Sequence, residues 1–175
     1  MGMEQSAEML GSLIGKSMNL GPEWSVVEVE FKDGQPTGDE PHIYIARTPG
    51  HAIECPVCGC RRGVYDTRSG EWRHLNIWQY KTIIRCDVPR TDCPDCGVKT
   101  ARVPWASDDA ANFTALFEAH VPVMAMAGTP ASGIANALGA SDGALWRMLG
   151  KLAERARSQA DFDGAARVGA AGTAR

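Results

Sequence analysis

Across residues 24–31, Val27, Val29 and Phe31 alternate with Glu28 and Glu30, the two-residue period of a half-buried strand, and Asp33-Gly34 closes the run. A polar loop at 35–40 leads into residues 42–47, where Ile43 and Ile45 share a face. The pattern predicts a small antiparallel hairpin whose acidic outer face is solvated. Upstream, Met9, Leu10, Leu13 and Ile14 fall at helical spacing and predict a short amphipathic helix whose job is packing. Downstream, Gly63-Val64-Tyr65-Asp66, a turn at Ser69-Gly70, and then residues 72–80 and 81–88 predict two or three short antiparallel strands.

After Pro104-Trp105 alanine and leucine dominate, and the expected elements become helices. Ser107-Asp108-Asp109 reads as a helix start, Leu116, Phe117, Val121 and Met124 as one face, and Pro122 as a kink. Thr129-Pro130 reads as an N-cap followed by Pro at the first position of a second helix, through Ile134 and Leu138. Gly139 and Ala140 make a tight corner, and Ser141-Asp142 caps a third helix from Gly143 to about Ala160. Two helices joined by a short Gly-containing turn are the sequence form of a helix-turn-helix. The third carries a buried stripe of Leu145, Leu149 and Leu152, with Met148 beside it. Arg147, Lys151 and Arg155 recur every four residues on an adjacent face, which suits phosphates and base edges or, with Glu154, plain solvation.

The chemistry sits between these regions. Cys55-Pro56-Val57-Cys58-Gly59 and Cys93-Pro94-Asp95-Cys96-Gly97 are matched doublets, each a tight turn that aims two sulfurs at one point. Four thiolates suit one structural Zn²⁺ in a closed site with no open position for catalysis. Disulfides, a redox dithiol or six unrelated buried cysteines are the competing readings. Residues 1–20 lack the basic flank, apolar run and cleavage pattern of a signal peptide, which argues for a reducing compartment and against disulfides. Cys60 and Cys86 are left over, Cys60 beside a knuckle and Cys86 in an apolar alternation that suits a small core residue.

Charge changes the picture next. The 175 residues carry a formal −3, distributed as −6 over 1–46, +4 over 47–105 and −1 over 106–175. The arginine surplus therefore lies on the cysteine segment: Arg61, Arg62, Arg68, Arg73, Lys81, Arg85 and Arg90, interleaved with Trp72, Trp78 and Tyr80. That composition fits a nucleic-acid surface and also cation–π packing. His74, with four cysteines already closing the site, reads as structural or phosphate-facing. No apolar run reaches bilayer-spanning length.

Beyond the cysteines, Tyr65-Asp66-Thr67-Arg68, Trp72-Arg73-His74-Leu75, Trp78-Gln79-Tyr80-Lys81-Thr82 and Pro89-Arg90 resemble the zinc-binding domain of insertion-sequence transposases of the ISL-three type. Trp105, Phe113-Thr114, Phe117-Glu118, Ala135, Leu138-Gly139 and Trp146-Arg147 resemble the helix-turn-helix that follows it. The resemblance implies binding to the inverted repeats that end a mobile element, with catalysis by a downstream acidic-triad domain of ribonuclease-H-like fold. Where that domain would open with Val-Gly-x-Asp-Glu, this chain reads Val168-Gly169-Ala170-Ala171-Gly172. Residues 161–175 are therefore expected to be a shortened start of that domain without catalytic carboxylates, and the chain is not expected to be an enzyme.

The expectation is an α+β protein: an N-terminal helix and hairpin (1–50), a four-cysteine zinc ribbon (51–105) and an all-α helix-turn-helix (106–160). Cys55, Cys58, Cys93 and Cys96 hold one structural Zn²⁺. Ser141, Asp142, Arg147, Lys151 and Arg155 meet double-stranded DNA, and Arg73, Lys81 and Arg90 meet its phosphates. The setting is a bacterial cytoplasm, at the nucleoid, with a second copy or a full-length transposase as protein partner. Two other functions fit the same residues: a stand-alone regulator that competes for the repeats, and a zinc-stabilised protein-interaction module that buries Trp72, Trp78 and Tyr80 against a partner.

Overall fold

One long strand, β6 (Ile83–Cys93), ties the cysteine segment to everything before it; the computed structural model describes residues 3–34, 38–107 and 112–159. Before it come α1 (Met3–Ser17), β1 (Trp24–Gly34), β2 (Gly38–Arg47), β3 (Ile53–Glu54), β4 (Arg61–Arg62) and β5 (Asp66–Arg73). After it come β7 (Gly97–Thr100), α2 (Ala115–Met126), α3 (Ala131–Leu138) and α4 (Asp142–Gln159). β6 pairs antiparallel with β5 and β7, and parallel with β2, so the five-stranded sheet runs β1-β2-β6-β5 with β7 also on β6. The hairpin and the ribbon strands therefore share one mixed sheet across residue 50, and β3 pairs with β4 separately.

Ile84, Cys86 and Val88, two apart on β6, face the same core as Ile43 and Ile45 of β2. Three indoles close that core: Trp105 meets Trp24 and Trp72 edge-on, with centroids 5.0 and 5.7 Å away. Trp72 is thus interior, not a nucleic-acid or partner surface. Ser69-Gly70 is no turn either, because both lie within β5. A Cβ on Gly70 would run into the Trp72 ring, and its absence lets the indole lie across its own strand.

The expected alternation in β1 fails for a local reason. The pairing with β2 slips between Val26 and Glu28, and the bulge turns Val27 out while Val26 and Val29 pack against the core. Phe31 is also exposed, edge-on to Tyr80 at 5.6 Å. In α1 the packing positions are Gly11 against Val26 and then Ile14, with Met18 just past its end; Met9, Leu10 and Leu13 face solvent. β5 ends at Arg73, and residues 74–82 form a loop whose tip, Ile77 to Tyr80, closes through reciprocal backbone bonds of 3.1 and 3.0 Å.

The second core joins α2, α3 and α4 through Phe117, Val121, Ile134, Leu138, Leu145 and Met148. α2 begins at Ala115 behind Thr114, whose hydroxyl accepts from the Phe117 amide. Part of the start expected at 107–109 lies outside the described residues. Leu116 is exposed, so the inner face of α2 is Phe117 and Val121, with Met124 packed beside them. Pro122 lies within the helix and withholds the amide that Glu118 would otherwise accept. The cap of α3 is Pro130 itself, not Thr129, and it has no side-chain bond to the helix. α3 ends at left-handed Gly139, and Ser141 accepts from the Ala144 amide at 3.3 Å to start α4. On α4 Leu145 and Met148 are the buried pair, with Leu149 and Leu152 partly covered.

Candidate metal centre and nucleic-acid surface

The first knuckle lies between β3 and β4. Cys55 donates its amide to the Cys60 carbonyl and Gly59 donates to Cys55, both at 2.9 Å. The second knuckle is the tip of the β6–β7 hairpin, where Cys96 donates to Cys93 at 3.3 Å. Gly59 and Gly97 have φ of 74° and 70°, left-handed values that L side chains resist, so each doublet needs the glycine that follows it.

These turns bring the four sulfurs of Cys55, Cys58, Cys93 and Cys96 within 4.8 Å of one another, with Cys58 and Cys93 at 3.5 Å. Donors about 2.3 Å from one tetrahedral ion stand about 3.8 Å apart, so the spacing fits Zn²⁺. The electrostatics fit as well. Backbone amides of Cys58 and Val57 donate to the Cys55 sulfur and bring its thiol down to about 7, which favours thiolate near neutral pH. Cys58 accepts from the Cys60 amide, yet the crowded sulfurs, Cys93 first, push it up to about 12. Burial raises Cys96 too. Four thiolates cannot collect at one point without a cation, and a divalent ion resolves the conflict by displacing the protons. Cys60 contributes backbone at the knuckle, while Cys86 is a core residue whose thiol burial holds at about 12.

The site is therefore a closed four-thiolate zinc ribbon, structural in kind. Comparison with known proteins narrows it. Residues 51–96 match the family model described as the zinc-finger of transposase IS204/IS1001/IS1096/IS1165. Over 106 residues, 58% of this chain, the sequence is 28% identical to the transposases for insertion sequence element IS1557 from two strains of Mycobacterium tuberculosis. The matched stretch spans 23% of the length of those relatives. No solved structure matches the chain. Residues 51–96 are a zinc ribbon of the insertion-sequence transposase kind.

The cationic side chains divide into structural and exposed sets. Arg73, expected on phosphate, is 7% exposed and cannot reach it. Its guanidinium donates to the carbonyls of His74, Thr82 and Leu138, the last at 2.6 Å, and to the Asn76 side chain, while lying 5.4 Å over the Phe117 ring. Burial lowers it to about 10, so it remains a cation at neutral pH. Leu138 ends α3, so this cation also meets the negative end of that helix. Lys81 pairs with Glu40 at 2.8 Å, and Arg90 holds Asp66 with both ends of its fork. Arg85 pairs with Glu71 at 2.7 Å and Arg61 with Glu54 at 3.2 Å. Ser141, Asp142, Arg147, Lys151 and Arg155 are all exposed along the outer side of α4. Sequence reasoning missed the pairings because their partners sit on other strands. It also missed Arg73 as a fastening between sheet and helices, for which the sequence carries no local signal.

His74 completes that fastening: Nδ1 lies 2.9 Å from the Thr114 hydroxyl at the start of α2. Burial first, then the charge of Arg73, lowers its imidazole to about 4 from an ordinary 6.5. Between those values the unfolded chain takes up a proton that the native state refuses. Stability is thus complete above pH 6.5 and falls as pH drops towards 4, by at most about 1.4 kcal/mol per pH unit. Urea midpoints measured from pH 7 to 4.5 should show a shallower acid loss for His74→Gln than for the unaltered chain. Parallel profiles would mean that His74 does not titrate in the fold's favour.

Proposed function

We propose that the chain is the DNA-binding part of an insertion-sequence transposase, and that α2, α3 and α4 act as a helix-turn-helix on the terminal inverted repeats of the element. In this reading the N-terminal turn of α4 enters the major groove, led by Ser141 and Asp142, with Arg147, Lys151 and Arg155 following along the backbone. The observation that carries it is the exposed cationic file on a helix whose opposite side is buried, fastened to a transposase-type zinc ribbon. A closed thiolate site offers no position for activating water, so the ribbon supports binding and not cutting. Cleavage and joining then belong to an acidic-triad domain elsewhere in the transposase. Ala171 and Gly172, where the first carboxylates are expected, lie outside the described residues. Inverted repeats present two sites, one per end of an element, and two copies would meet through the exposed, uncharged side chains of Leu116, Val123 and Met126 on α2. Action on such ends places the chain at the nucleoid of a bacterial cytoplasm; among the described residues no helix is long and apolar enough to cross a membrane.

Fluorescence anisotropy with duplexes from the sequence flanking its reading frame tests the proposal. Expected is tighter binding to a duplex carrying the repeat than to an unrelated one. Affinity should fall by about 0.9 log units per decade of salt for each phosphate contacted. No retention of any duplex at about 50 mM salt would sink the reading. The alternative interaction module loses Trp72, which is spent in the core, and keeps Trp78, which is exposed.

A further inference from the structure

A cleft of about 750 Å³ opens between β5 and the α3–α4 corner, lined on one side by residues 68–73 and on the other by Gly139, Ser141, Ala144 and Arg147. Among the described residues four cationic side chains line it, Arg68, Arg73, Lys81 and Arg147, against one carboxylate, Glu71. That carboxylate is neutralised by Arg85 at 2.7 Å, Lys81 is held by Glu40, and Arg73 is buried beneath. Arg68 and Arg147 are exposed on opposite walls, and neither has an ion pair within the described residues. Two such guanidiniums facing one open trough repel each other unless an anion lies between them.

We propose that this cleft seats one phosphodiester strand of the bound duplex, gripped by Arg68 from the ribbon sheet and Arg147 from α4. The inference rests on the DNA-binding reading and adds to it a contact residue, Arg68, on the ribbon. Chain geometry favours an extended polyanion over a small phosphorylated ligand. Positive charge does not end in the cleft but continues from Arg147 to Lys151 and Arg155 along α4, and the indole nearest the trough, Trp72, is committed to Trp105 and offers no base a stacking face. A backbone strand leaving the trough would run beside the groove that α4 enters. Arg73 holds the two walls at a fixed separation through its bond to Leu138, so ribbon and helices would grip as one body.

The test uses the whole chain and a duplex that the unaltered protein binds. Arg68→Gln should leave the thermal midpoint unchanged, because the residue is exposed. It should weaken binding similarly for repeat and unrelated duplexes, and lower the slope of log affinity against log salt by about one. Arg147→Gln should lower the slope by the same amount. Arg62→Gln, exposed but outside the cleft, should leave it unaltered. An unchanged slope for Arg68→Gln, or an equal loss for Arg62→Gln, would overturn the cleft while leaving DNA binding intact. Failure of the unaltered chain to bind any duplex would instead overturn the functional reading beneath it.

Discussion

Replacing Cys58 or Cys96 by Ser should abolish zinc binding and unfold the ribbon together with the strands that share its sheet. The reason lies in the position of the second knuckle. Cys93 is the last residue of β6, the strand that also carries Ile84, Cys86 and Val88 into the core and pairs with β2 and β5. The first knuckle is carried by the two-residue strands β3 and β4, next to a segment whose His51 and Ala52 carbonyls accept from Arg47. Such short strands cannot fold unaided. Structural zinc contributes on the order of 10 kcal/mol, comparable to the entire stability of a domain. A serine hydroxyl is a far poorer ligand than thiolate, and three remaining sulfurs leave the ion open. Native mass spectrometry should find one Zn²⁺ in the unaltered chain and none in either variant, and circular dichroism should report loss of cooperative melting. A variant that lost zinc but melted at the unaltered temperature would show that the sheet stands without its metal.

Arg73→Met should be the most costly change outside the metal centre. The methionine fills part of the volume, but the carbonyls of His74 and Leu138 lose this donor inside the seam between sheet and helices, while Thr82 keeps the His74 amide at 2.9 Å. Leaving buried acceptors unsatisfied costs about 3 kcal/mol in total, some 10 °C in melting temperature for a chain of this size. Arg73→Lys should recover little, since a single ammonium cannot reproduce a fork that reaches three carbonyls and the Asn76 side chain. The discriminating readout is the salt dependence of DNA binding. A buried Arg73 changes stability and leaves the salt slope alone; a normal melt with a reduced slope would return Arg73 to the phosphate role that its sequence context suggests.

These two residues types also show what the sequence could and could not reveal. The knuckles are legible because their information is local: doublet spacing, a proline, and a glycine forced into a left-handed turn. β2 and the corner between α3 and α4 are legible for the same reason, through Ile43 and Ile45, and through Gly139 and Ser141. The parallel pairing of His42–Tyr44 with Ile83–Arg85 spans some forty residues and leaves no periodic trace. Arg90 beside Asp66 and Lys81 beside Glu40 are likewise partners only once strands meet, so a count of arginines overstated the charge free to meet DNA. Trp72 misled for a different reason. An aromatic among arginines reads as a binding surface, but Gly70 clears a place for its ring across the strand, and Trp105, far along the chain, covers it. Val27 shows the limit of periodicity itself, since one bulged residue reverses the face on which its neighbours lie.

The helices and the sheet that carries the second knuckle are joined by Arg73, His74 and Asn76, and under the proposed function that union would make DNA binding by α4 depend on the zinc ion. Titrating a strong zinc chelator into the chain bound to its best duplex, while recording metal release and anisotropy together, tests this most directly. The account expects DNA release to track zinc release one for one and to be restored by added Zn²⁺. Undiminished affinity after complete removal of the metal would contradict it.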